Sequence, residues 1–481
     1  MAQGDARHVM QLRSDGKCII VHSTIIRVTR FHAAKVYGGA SVATRNPRGL
    51  GTVPSRVEEQ QNRMHILVLG AGVVGITTAW HLRQAGHTVS VIDRQAASAL
   101  ETSFANGGQI SVSHAGPWAT PQAPLIGLRG WVDSRAPVRF SPTANHRQWR
   151  WMAAFLYECL PGRVRRNTDA LARLAVSSQA ELRQLQRTLQ LSYDQSDSGI
   201  LHVFSDRREL ERARARAAWL APHGIRLEYC DPARCLEIEP ALAGGRTLAG
   251  GLHAPNDEVG DAHLFTQALA RACADAGVTF HFETTVEALD VHENTVRGVA
   301  VRDARGVRGL LRGEQVVCTL GTHTRQLVEQ HGPRPALYPI KGYSLTFAAG
   351  PGAPHVSLTD EEHRIVLSRL GDRVRVAGMA ELGGHTVTVE PERVELLKTL
   401  TRALCPDAGD IEGAEAWAGL RPCTPGNVPL IGRSRINGLW YNTGHGSLGW
   451  TLSCGSARLL AELMAGREPA FDFPVLTGRR H

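Results

Sequence analysis

The segment His65–Arg94, HILVLGAGVVGITTAWHLRQAGHTVSVIDR, constrains the fold of this chain more than any other. Its first apolar run, Ile66–Leu69, has the pattern of a strand buried on both faces and leads directly into the glycine-rich sequence GAGVVG. Apolar residues at helical spacing then continue to Gly86, and a second β-branched run stops at Asp93. The segment therefore predicts a complete βαβ unit with G-x-G-x-x-G in its first turn and an acid after its second strand.

This arrangement is typical of a dinucleotide-binding site. Gly70 permits the tight turn, Gly72 lets the backbone approach a pyrophosphate, and Gly75 lets the helix pack close to the sheet. The helix N-terminus offers free N–H groups and a partial positive charge to phosphates. Asp93 is placed to accept hydrogen bonds from a ribose 2′-hydroxyl and would repel a 2′-phosphate, so the pattern favours FAD or NAD over NADP.

Length and charge limit the remaining classes of function. The 481 residues suffice for about two or three structural units, and no apolar run approaches the roughly 18 residues of a transmembrane helix. The formal net charge is +9, but residues 1–63 hold ten Lys or Arg against four Asp or Glu, so the remaining residues contribute only +3. We therefore expect no nucleic-acid partner.

Residues 1–63 differ from the rest of the chain, being rich in arginine and lacking a sustained amphipathic period. One interpretation is a targeting peptide, since transit peptides are Arg-rich and poor in acids. The interpretation we favour is a disordered or dispensable extension, with Met64 as the functional start immediately before the first strand.

The nine cysteines are scattered without a C-x-x-C pair. We expect them to be buried free thiols in a reducing compartment, and we expect no metal site.

The segment Gly127–Arg166 combines aromatic residues, among them Trp131, Trp149, Trp151 and Phe155, with eight arginines. Such a stretch can dock on an anionic membrane surface. Equally, the aromatic residues can belong to the core while the arginines extend to solvent.

Downstream of this segment, periodicity and turn residues predict a series of helices and strands. The predicted helices are Thr168–Gln190, Arg207–Trp219, Ala262–Ala276, Pro391–Leu404 and Thr451–Met464. The predicted strands are Val278–Phe282, Val286–Val291, Gly298–Arg302, Glu314–Leu320, Ala336–Ala348, Glu361–Leu370 and Asp372–Ala380. The last helix follows a glycine-rich loop at Thr443–Gly449, which predicts a second helix N-terminus able to hold an anion.

Several motifs in order along residues 64–470 resemble the FAD-dependent amine and amino-acid oxidoreductases, the superfamily of D-amino-acid oxidase, glycine oxidase and sarcosine oxidase. Within it the chain is most similar to the small subunits of bacterial D-amino acid dehydrogenases. The motifs are LGAGVVG (69–75), VIDR (91–94), ETSFANGGQIS (101–111), PNDEVGD (255–261), PIKGYSLT (339–346), VAGMAE (376–381), GLRPCTPGNVPLIGR (419–433) and NTGHGSLGWTLSCGS (442–456).

The resemblance implies an α/β fold with a Rossmann-like FAD-binding domain and an inserted substrate domain, built on an antiparallel sheet with helices. The FAD-binding domain would comprise residues 64–110, about 250–335 and 405–470. The substrate domain would comprise about 111–249 and 336–404.

The resemblance also implies which residues bind FAD. They are Ile66, Leu67, Val68, Leu69, Gly70, Ala71, Gly72, Val73, Val74, Gly75, Asp93, Arg94, Ser103, Asn106, Gly107, Gly108, Gln109, Val286, Gly321, Gly444, His445, Gly446, Leu448, Gly449, Trp450 and Thr451. For His445, flavin contact and a turn-stabilising role are both open.

The resemblance places Arg421 as the cation that holds the substrate carboxylate, because a guanidinium binds a carboxylate through two parallel hydrogen bonds. An interface arginine is the alternative. Lys341 and Tyr343 would lie on the sheet facing the flavin, with Tyr343 helping to bind substrate and Lys341 either functional or structural. His114 departs from the tyrosine common at its position, which leaves its role open.

The function implied is oxidative deamination of D-amino acids to 2-oxo acids and ammonia, with hydride transfer from Cα to flavin N5. Electrons would pass to a quinone or respiratory acceptor, and the protein would be cytoplasmic and peripheral on the inner membrane. Two alternatives remain: an oxygen-using oxidase of glycine, sarcosine or proline-like amines, and a flavin-binding protein without turnover.

Overall fold

The computed structural model describes residues 63–133, 136–331 and 335–478. The prediction for residues 1–63 lies outside these ranges except for Arg63. The helices of the described residues are α1 (Val73–Gln84), α2 (Ala123–Val132), α3 (His146–Glu158), α4 (Pro161–Leu189), α5 (Arg207–Leu220), α6 (Pro232–Ile238), α7 (Ala262–Asp275), α8 (Thr324–Val328), α9 (Pro391–Leu404) and α10 (Gly449–Met464), with short 3₁₀ turns between some of them.

The strands of the same ranges form four sheets. They are β1 (His65–Leu69), β2 (Thr88–Ile92), β3 (Gln109–Ile110), β4 (Val138–Phe140), β5 (Ile200–Phe204), β6 (Glu228–Cys230), β7 (Gly250–Ala254), β8 (Glu258–Val259), β9 (Thr279–His281), β10 (Thr285–His292), β11 (Thr295–Arg302), β12 (Arg308–Arg312), β13 (Gln315–Cys318), β14 (Tyr338–Ala348), β15 (Ser357–Asp360), β16 (Ile365–Leu370), β17 (Arg373–Leu382), β18 (Glu415–Cys423), β19 (Leu430–Arg433), β20 (Leu439–Thr443) and β21 (Leu476–Thr477).

The predicted βαβ unit is confirmed as β1, α1 and β2, and it lies inside a seven-stranded sheet of order β21-β19-β20-β13-β1-β2-β9. All neighbouring strands are parallel except β19 and β20. Ile66 and Val68 pack into one apolar cluster, whereas Leu67 and Leu69 pack into another. Strand β1 is therefore buried on both faces, as its uninterrupted apolar sequence requires.

Helix α10 is held against α1 and α4 by small residues. Thr77 of α1 donates a hydrogen bond to the carbonyl of Ser453 (3.3 Å), and the N–H of Gly455 donates to the hydroxyl of Ser178 on α4 (3.0 Å). A Cβ on Gly455 would lie 2.8 Å from the Cα of Ser178. These contacts fix the C-terminal helix beside the helix that opens the dinucleotide motif.

A nine-stranded mixed sheet forms the second layer, with order β18-β14-β17-β16-β15-β5-β7-β6 and β4 beside β17. Strands β10, β11 and β12 form a separate antiparallel sheet, and β3 pairs with β8. The division into two domains remains a prediction. Strands β7 and β18, which that prediction assigned to the FAD-binding domain, pair within the nine-stranded sheet.

Two predicted elements differ from the structure. The prediction of a single strand over 361–370 is wrong, because residues 361–364 form the turn between β15 and β16, with Arg364 at φ +56°. Helix α4 begins at Pro161, earlier than predicted. Proline is favoured at the first helical position because it lacks an N–H, and an N–H there would have no partner within the helix. The antiparallel pairing of β14, β16 and β17 is confirmed.

Among the described helices, none is long and apolar enough to cross a lipid bilayer. Eight cysteines are described, and all are buried and unpaired, as expected. Cys18 lies outside the described residues.

Candidate functional site

The glycine-rich turn after β1 has a geometry that excludes side chains. Gly70 has φ +104°, and its N–H donates to the carbonyl of Ile92 at 2.8 Å. A Cβ on Gly75 would lie 1.8 Å from the carbonyl oxygen of Gly70. The turn and the helix therefore approach so closely that only glycine fits at position 75.

The N-terminus of α1 is prepared for an anion. Its N-cap residue, Gly72, provides no side-chain cap, and no acidic residue lies in the first turn. The N–H of Val73 donates to the hydroxyl of Ser103 at 3.1 Å, which brings the predicted cofactor loop to this helix end. Unsatisfied N–H groups and the helix dipole favour a phosphate here.

Asp93 lies at the end of β2, beside the glycine turn. Its carboxylate accepts hydrogen bonds from the N–H of Ala71 (2.6 Å) and of Gln95 (2.8 Å). Burial raises the pKa of Asp93, while these two N–H groups act in the opposite direction. The carboxylate thus has lone pairs left for a ligand next to the turn.

Three further predicted cofactor residues surround this corner. Arg94 pairs with Glu101, Nε to Oε1 at 2.6 Å, so its guanidinium is already engaged by the protein. Val286 is the second residue of β10, and the N–H of the nearby Thr284 donates to the carbonyl of Asp93 at 2.9 Å. Gly321, at φ +54°, follows β13, the neighbour of β1.

The loop that runs from Ser103 to Gln109 contacts the nine-stranded sheet. Asn106 Oδ1 accepts a hydrogen bond from the N–H of Gly108 at 3.0 Å, which closes the turn. A Cβ on Gly107 would lie 2.6 Å from Cγ2 of Val366 on β16. The amide nitrogen of Gln109 donates to hydroxyls on β15 instead of pointing along the loop.

The N-terminus of α10 meets the same region. Leu448 provides no side-chain cap, and the first turn carries no acid. The N–H of Ser111 donates to Thr451 Oγ1 at 3.2 Å, so the start of α10 lies against the residues that follow the loop. Gly444 and Gly446 adopt φ +84° and +56° in the preceding turn. The structure therefore brings both predicted anion-binding helix ends to the loop at 103–111.

Other predicted cofactor residues point into the protein. Trp450 Nε1 donates to the carbonyl of Gly260 at 3.1 Å, and its ring packs on Phe265. His445 Nε2 lies 3.0 Å from the hydroxyl of Ser456, and burial lowers the pKa of His445 to about 3. A neutral histidine bonded to α10 favours the turn-stabilising role.

The apolar residues of the predicted set pack into the core and position the two turns. They are Ile66, Leu67, Val68, Leu69, Ala71, Val73, Val74 and Leu448.

Arg421 lies on β18, opposite Ile340 of β14. Its guanidinium crosses Gly342, where a Cβ would lie 2.3 Å from Nη1, and donates to the carbonyl of Met379 at 2.9 Å. Burial lowers the pKa of Arg421. No carboxylate of the described residues forms an ion pair with it, and the ring of Trp118 lies 5.7 Å away.

Lys341 and Tyr343 lie on the other face of β14. Lys341 Nζ pairs with Glu381 (2.9 Å) and Glu390 (3.0 Å), and the Tyr343 hydroxyl donates to Glu381 at 3.1 Å. Arg393 of α9 also pairs with Glu381 at 2.9 Å. Successive residues of a strand point to opposite faces, so Gly342 and Arg421 face away from this cluster.

The orientation of Lys341 and Tyr343 toward the flavin stays a prediction, and the structure places both side chains on the face of β14 away from the loop at Gly107. The face that contacts Gly107 carries Val366, whose strand partner Ala377 lies opposite Ser344. Burial raises the pKa of Tyr343 to about 12. Burial alone would lower the pKa of Lys341, but its hydrogen bonds to neighbouring groups raise it. The two residues form part of a buried polar cluster under α9.

A second buried polar cluster was missed from the sequence. Asp257 accepts hydrogen bonds from Ser111 and Ser113, and Ser113 contacts His202, which pairs with Glu361. Burial raises the pKa of Asp257, and its hydroxyl partners and His202 oppose that shift. These residues come from distant parts of the chain. The motifs ETSFANGGQIS (101–111) and PNDEVGD (255–261) contain Ser111 and Asp257, but neither motif predicted that the two meet.

Comparison with known proteins gives the family and the fold of the chain. Residues 65–463 match the DAO family, described as FAD dependent oxidoreductase. The chain is 46% identical to a D-amino acid dehydrogenase of Dechloromonas aromatica over 86% of this chain and all of that protein. It is 44% identical to one of Paramagnetospirillum magneticum, over 86% of this chain and 98% of that protein. The fold resembles glycine oxidase of Bacillus cereus, with a TM-score of 0.65 and 22% identity over 85% of this chain and 96% of that chain.

Proposed function

The chain belongs to the DAO family of FAD-dependent oxidoreductases, and from that premise we propose that it catalyses the oxidative deamination of D-amino acids. It is an FAD-dependent enzyme that oxidises amino acids. The D-configuration is supported by the dehydrogenases to which it is 40–46% identical. The products would be the 2-oxo acid and ammonia.

The residues present fit FAD. One observation is the close approach of α1 to the glycine turn at Gly75. The other is that the N-cap residues of α1 and α10 provide no side-chain cap and that neither first turn carries an acid, so both helix ends favour negative charge. Gly70, Gly72 and Gly75 would hold the pyrophosphate, and Asp93 the ribose. The backbone N–H groups at the start of α10 would stabilise negative charge on the bound ring.

The single observation that carries the substrate proposal is the state of Arg421. Its guanidinium has five N–H donors, and the hydrogen bonds it makes to described residues go to the backbone carbonyls of Met379 and Gly378. A half-buried cation without a carboxylate partner is suited to an anionic ligand. We infer that the substrate carboxylate binds here, between Arg421 and Trp118.

FAD, when bound, would supply the hydride acceptor: its N5 atom would take the hydride that leaves Cα of the amino acid. The chain's part is positioning: Arg421 fixes the carboxylate, and the sheet face at Gly342 leaves room for it. If the substrate enters with a neutral amine, the protein does not need a side chain that acts as a base on that amine. Activity should therefore rise as pH approaches the pKa of the substrate amine.

The test is an anaerobic absorbance spectrum of the FAD-loaded protein before and after D-alanine, with L-alanine as the control. Bleaching of the flavin band by the D-enantiomer alone would support the proposal. Bleaching by L-alanine would contradict the stereochemistry. A band that no amino acid bleaches would favour a flavin-binding protein without turnover.

We further propose that electrons pass to a quinone at a membrane surface. Helices α2 and α3 expose large apolar side chains, led by Val132 (81% exposed), Leu125 (70%) and Trp131 (62%). Arg129 and Arg150 on the same helices are also exposed. Apolar side chains beside arginines are suited to the headgroup region of anionic lipids.

The acceptor is tested with vesicles of phosphatidylglycerol and phosphatidylcholine that contain a ubiquinone. We expect quinone reduction driven by D-alanine and cosedimentation of the protein, both weakened in the double variant Leu125→Ser, Trp131→Ser. Hydrogen peroxide formed in proportion to substrate would contradict this and favour the oxidase. Unchanged cosedimentation in the variant would refute the role of α2.

A further inference from the structure

The segment Ser111–His114 follows the cofactor loop and carries a cluster that the proposed reaction does not use. His114 Nδ1 lies 3.4 Å from Glu361 Oε1, and His202 Nδ1 lies 2.9 Å from the same oxygen. The two imidazole rings are stacked with centroids 5.7 Å apart and 3° between their planes. One ligand atom from each of the three residues lies within 4.8 Å of the others.

The carboxylate of Asp257 is fully hydrogen-bonded. Its carboxylate accepts from the N–H groups of Val112 (3.1 Å) and Ser113 (3.2 Å) and from the hydroxyls of Ser111 (2.9 Å) and Ser113 (2.5 Å). Four donors are what an ionised carboxylate accepts. A serine hydroxyl has one proton, and that of Ser113 is given to Asp257.

His202 extends this network on the other side of Ser113. His202 Nε2 lies 3.0 Å from Ser113 Oγ, which already contacts the carboxylate of Asp257. A histidine held at one ring nitrogen in this way presents the other, Nδ1, to Glu361 Oε1 at 2.9 Å. A ring nitrogen and a carboxylate oxygen at this separation can share either a proton or a metal ion.

We propose that His114, His202 and Glu361 bind a divalent transition-metal ion, with Zn²⁺ as the representative. Ligand atoms that share one zinc ion lie roughly 3 to 3.5 Å apart, since each is about 2.0–2.2 Å from the metal. The distances of 2.9 and 3.4 Å fall close to this range. Two imidazole nitrogens and one carboxylate favour zinc and its neighbours over Mg²⁺ or Ca²⁺.

The surroundings resemble those of metal-binding histidines. The chain from His202 through Ser113 to Asp257 gives the ligand a hydrogen-bonded carboxylate behind it, which fixes its tautomer and raises its basicity. The His114 side chain is 40% exposed, so an ion can enter from solvent. Among the described residues, no lysine or arginine forms an ion pair with Asp257 or Glu361. The ion would also tie Ser111–His114 to the nine-stranded sheet.

The experiment is equilibrium dialysis of the FAD-loaded full chain, stripped with a chelator, against buffered Zn²⁺, with elemental analysis of both compartments. We expect one zinc per chain and a higher thermal transition with zinc. Glu361→Gln and His114→Gln should each weaken binding by at least ~10-fold, because each removes one of three ligands. Unchanged flavin absorbance and melting of the apo variants would show that they fold.

His223→Gln is the matched control, because His223 faces the single carboxylate of Asp169. It should leave the stoichiometry at one. Equal zinc binding by wild type and both cluster variants would overturn the proposal, as would loss of the site in His223→Gln. Absence of zinc binding in the wild type would also overturn it.

Discussion

Replacing Arg421 by methionine tests the assignment of the substrate carboxylate. Methionine keeps much of the side-chain length over Gly342 but removes every N–H donor. Two charge-assisted hydrogen bonds would be lost at about 1.5–3 kcal/mol each, or about 3–6 kcal/mol together. At about 1.4 kcal/mol per factor of ten, the expected loss in kcat/KM is about 10²- to 10⁴-fold.

The assay is anaerobic stopped-flow reduction of the bound flavin by D-alanine, which separates substrate affinity from the reduction rate. We expect most of the loss in affinity, with the flavin spectrum and occupancy unchanged. D-alaninol, which lacks the carboxylate, should react equally poorly with wild type and variant. An unchanged affinity for D-alanine, or equal losses for both substrates, would refute the reasoning.

Three further variants test other parts of the structure. Gly75→Ala should abolish FAD retention on gel filtration, because its Cβ would lie 1.8 Å from the carbonyl oxygen of Gly70. Lys341→Met should lower the free energy of unfolding by about 1.5–3 kcal/mol, since it removes one charge-assisted hydrogen bond to buried Glu381, which keeps its pairing with Arg393, while D-alanine affinity stays the same. His445→Gln should flatten the pH dependence of stability between pH 6.5 and about 3 by up to about 1.4 kcal/mol per pH unit, measured by urea unfolding at pH 5 and 6.

The sign of the last effect follows from the lowered pKa of His445. In the native state it stays neutral down to about pH 3, whereas in the unfolded chain it binds a proton below about pH 6.5. Wild-type stability therefore falls as pH decreases through this window. For the glycine variant, Gly162→Ala is the control, because no atom lies within 4 Å of its Cβ position. FAD retention in Gly75→Ala, reduced substrate affinity in Lys341→Met, or an unchanged slope in His445→Gln would contradict these arguments.

The parts that the sequence predicted well depend on local chemistry. The strand at Ile66–Leu69, the turn at Gly70 and the helix that follows are encoded within about 30 residues, so periodicity and glycine spacing were sufficient. The motif GLRP also singled out Arg421, but its place on a strand beside β14 was not predicted. These elements carry the fold assignment and the dinucleotide site.

The face of β14 could not be predicted in the same way. Lys341 and Gly342 point to opposite sides, and which side faces the loop at Gly107 depends on the neighbouring strands. The register of β14 with β17 shifts between Lys341 and Tyr343, where β17 contains Met379 at φ +60°. Such irregularities arise from tertiary packing, and alternation of residue types does not reveal them.

The cluster at His114, His202 and Glu361 was missed for a related reason. Its members lie in the segment after β3, on β5 and directly after β15, and no local spacing joins them. The parallel pairing of β5 with β15 brings His202 and Glu361 together. The sequence left the role of His114 open, and only the three-dimensional structure shows that it lies beside the carboxylate of Glu361.

The strand order of the seven-stranded sheet also has a consequence for folding during translation. Ile66 of β1 pairs with Gln315 of β13, 249 positions later, and β20 and α10 follow still further along the chain. At about 5–20 residues per second, β1 waits roughly 10 to 50 s for this neighbour during translation. The nascent βαβ unit must keep its apolar strand from other chains throughout that interval. Capture of the cofactor would accordingly be a late event, completed only when the last helix has left the exit tunnel.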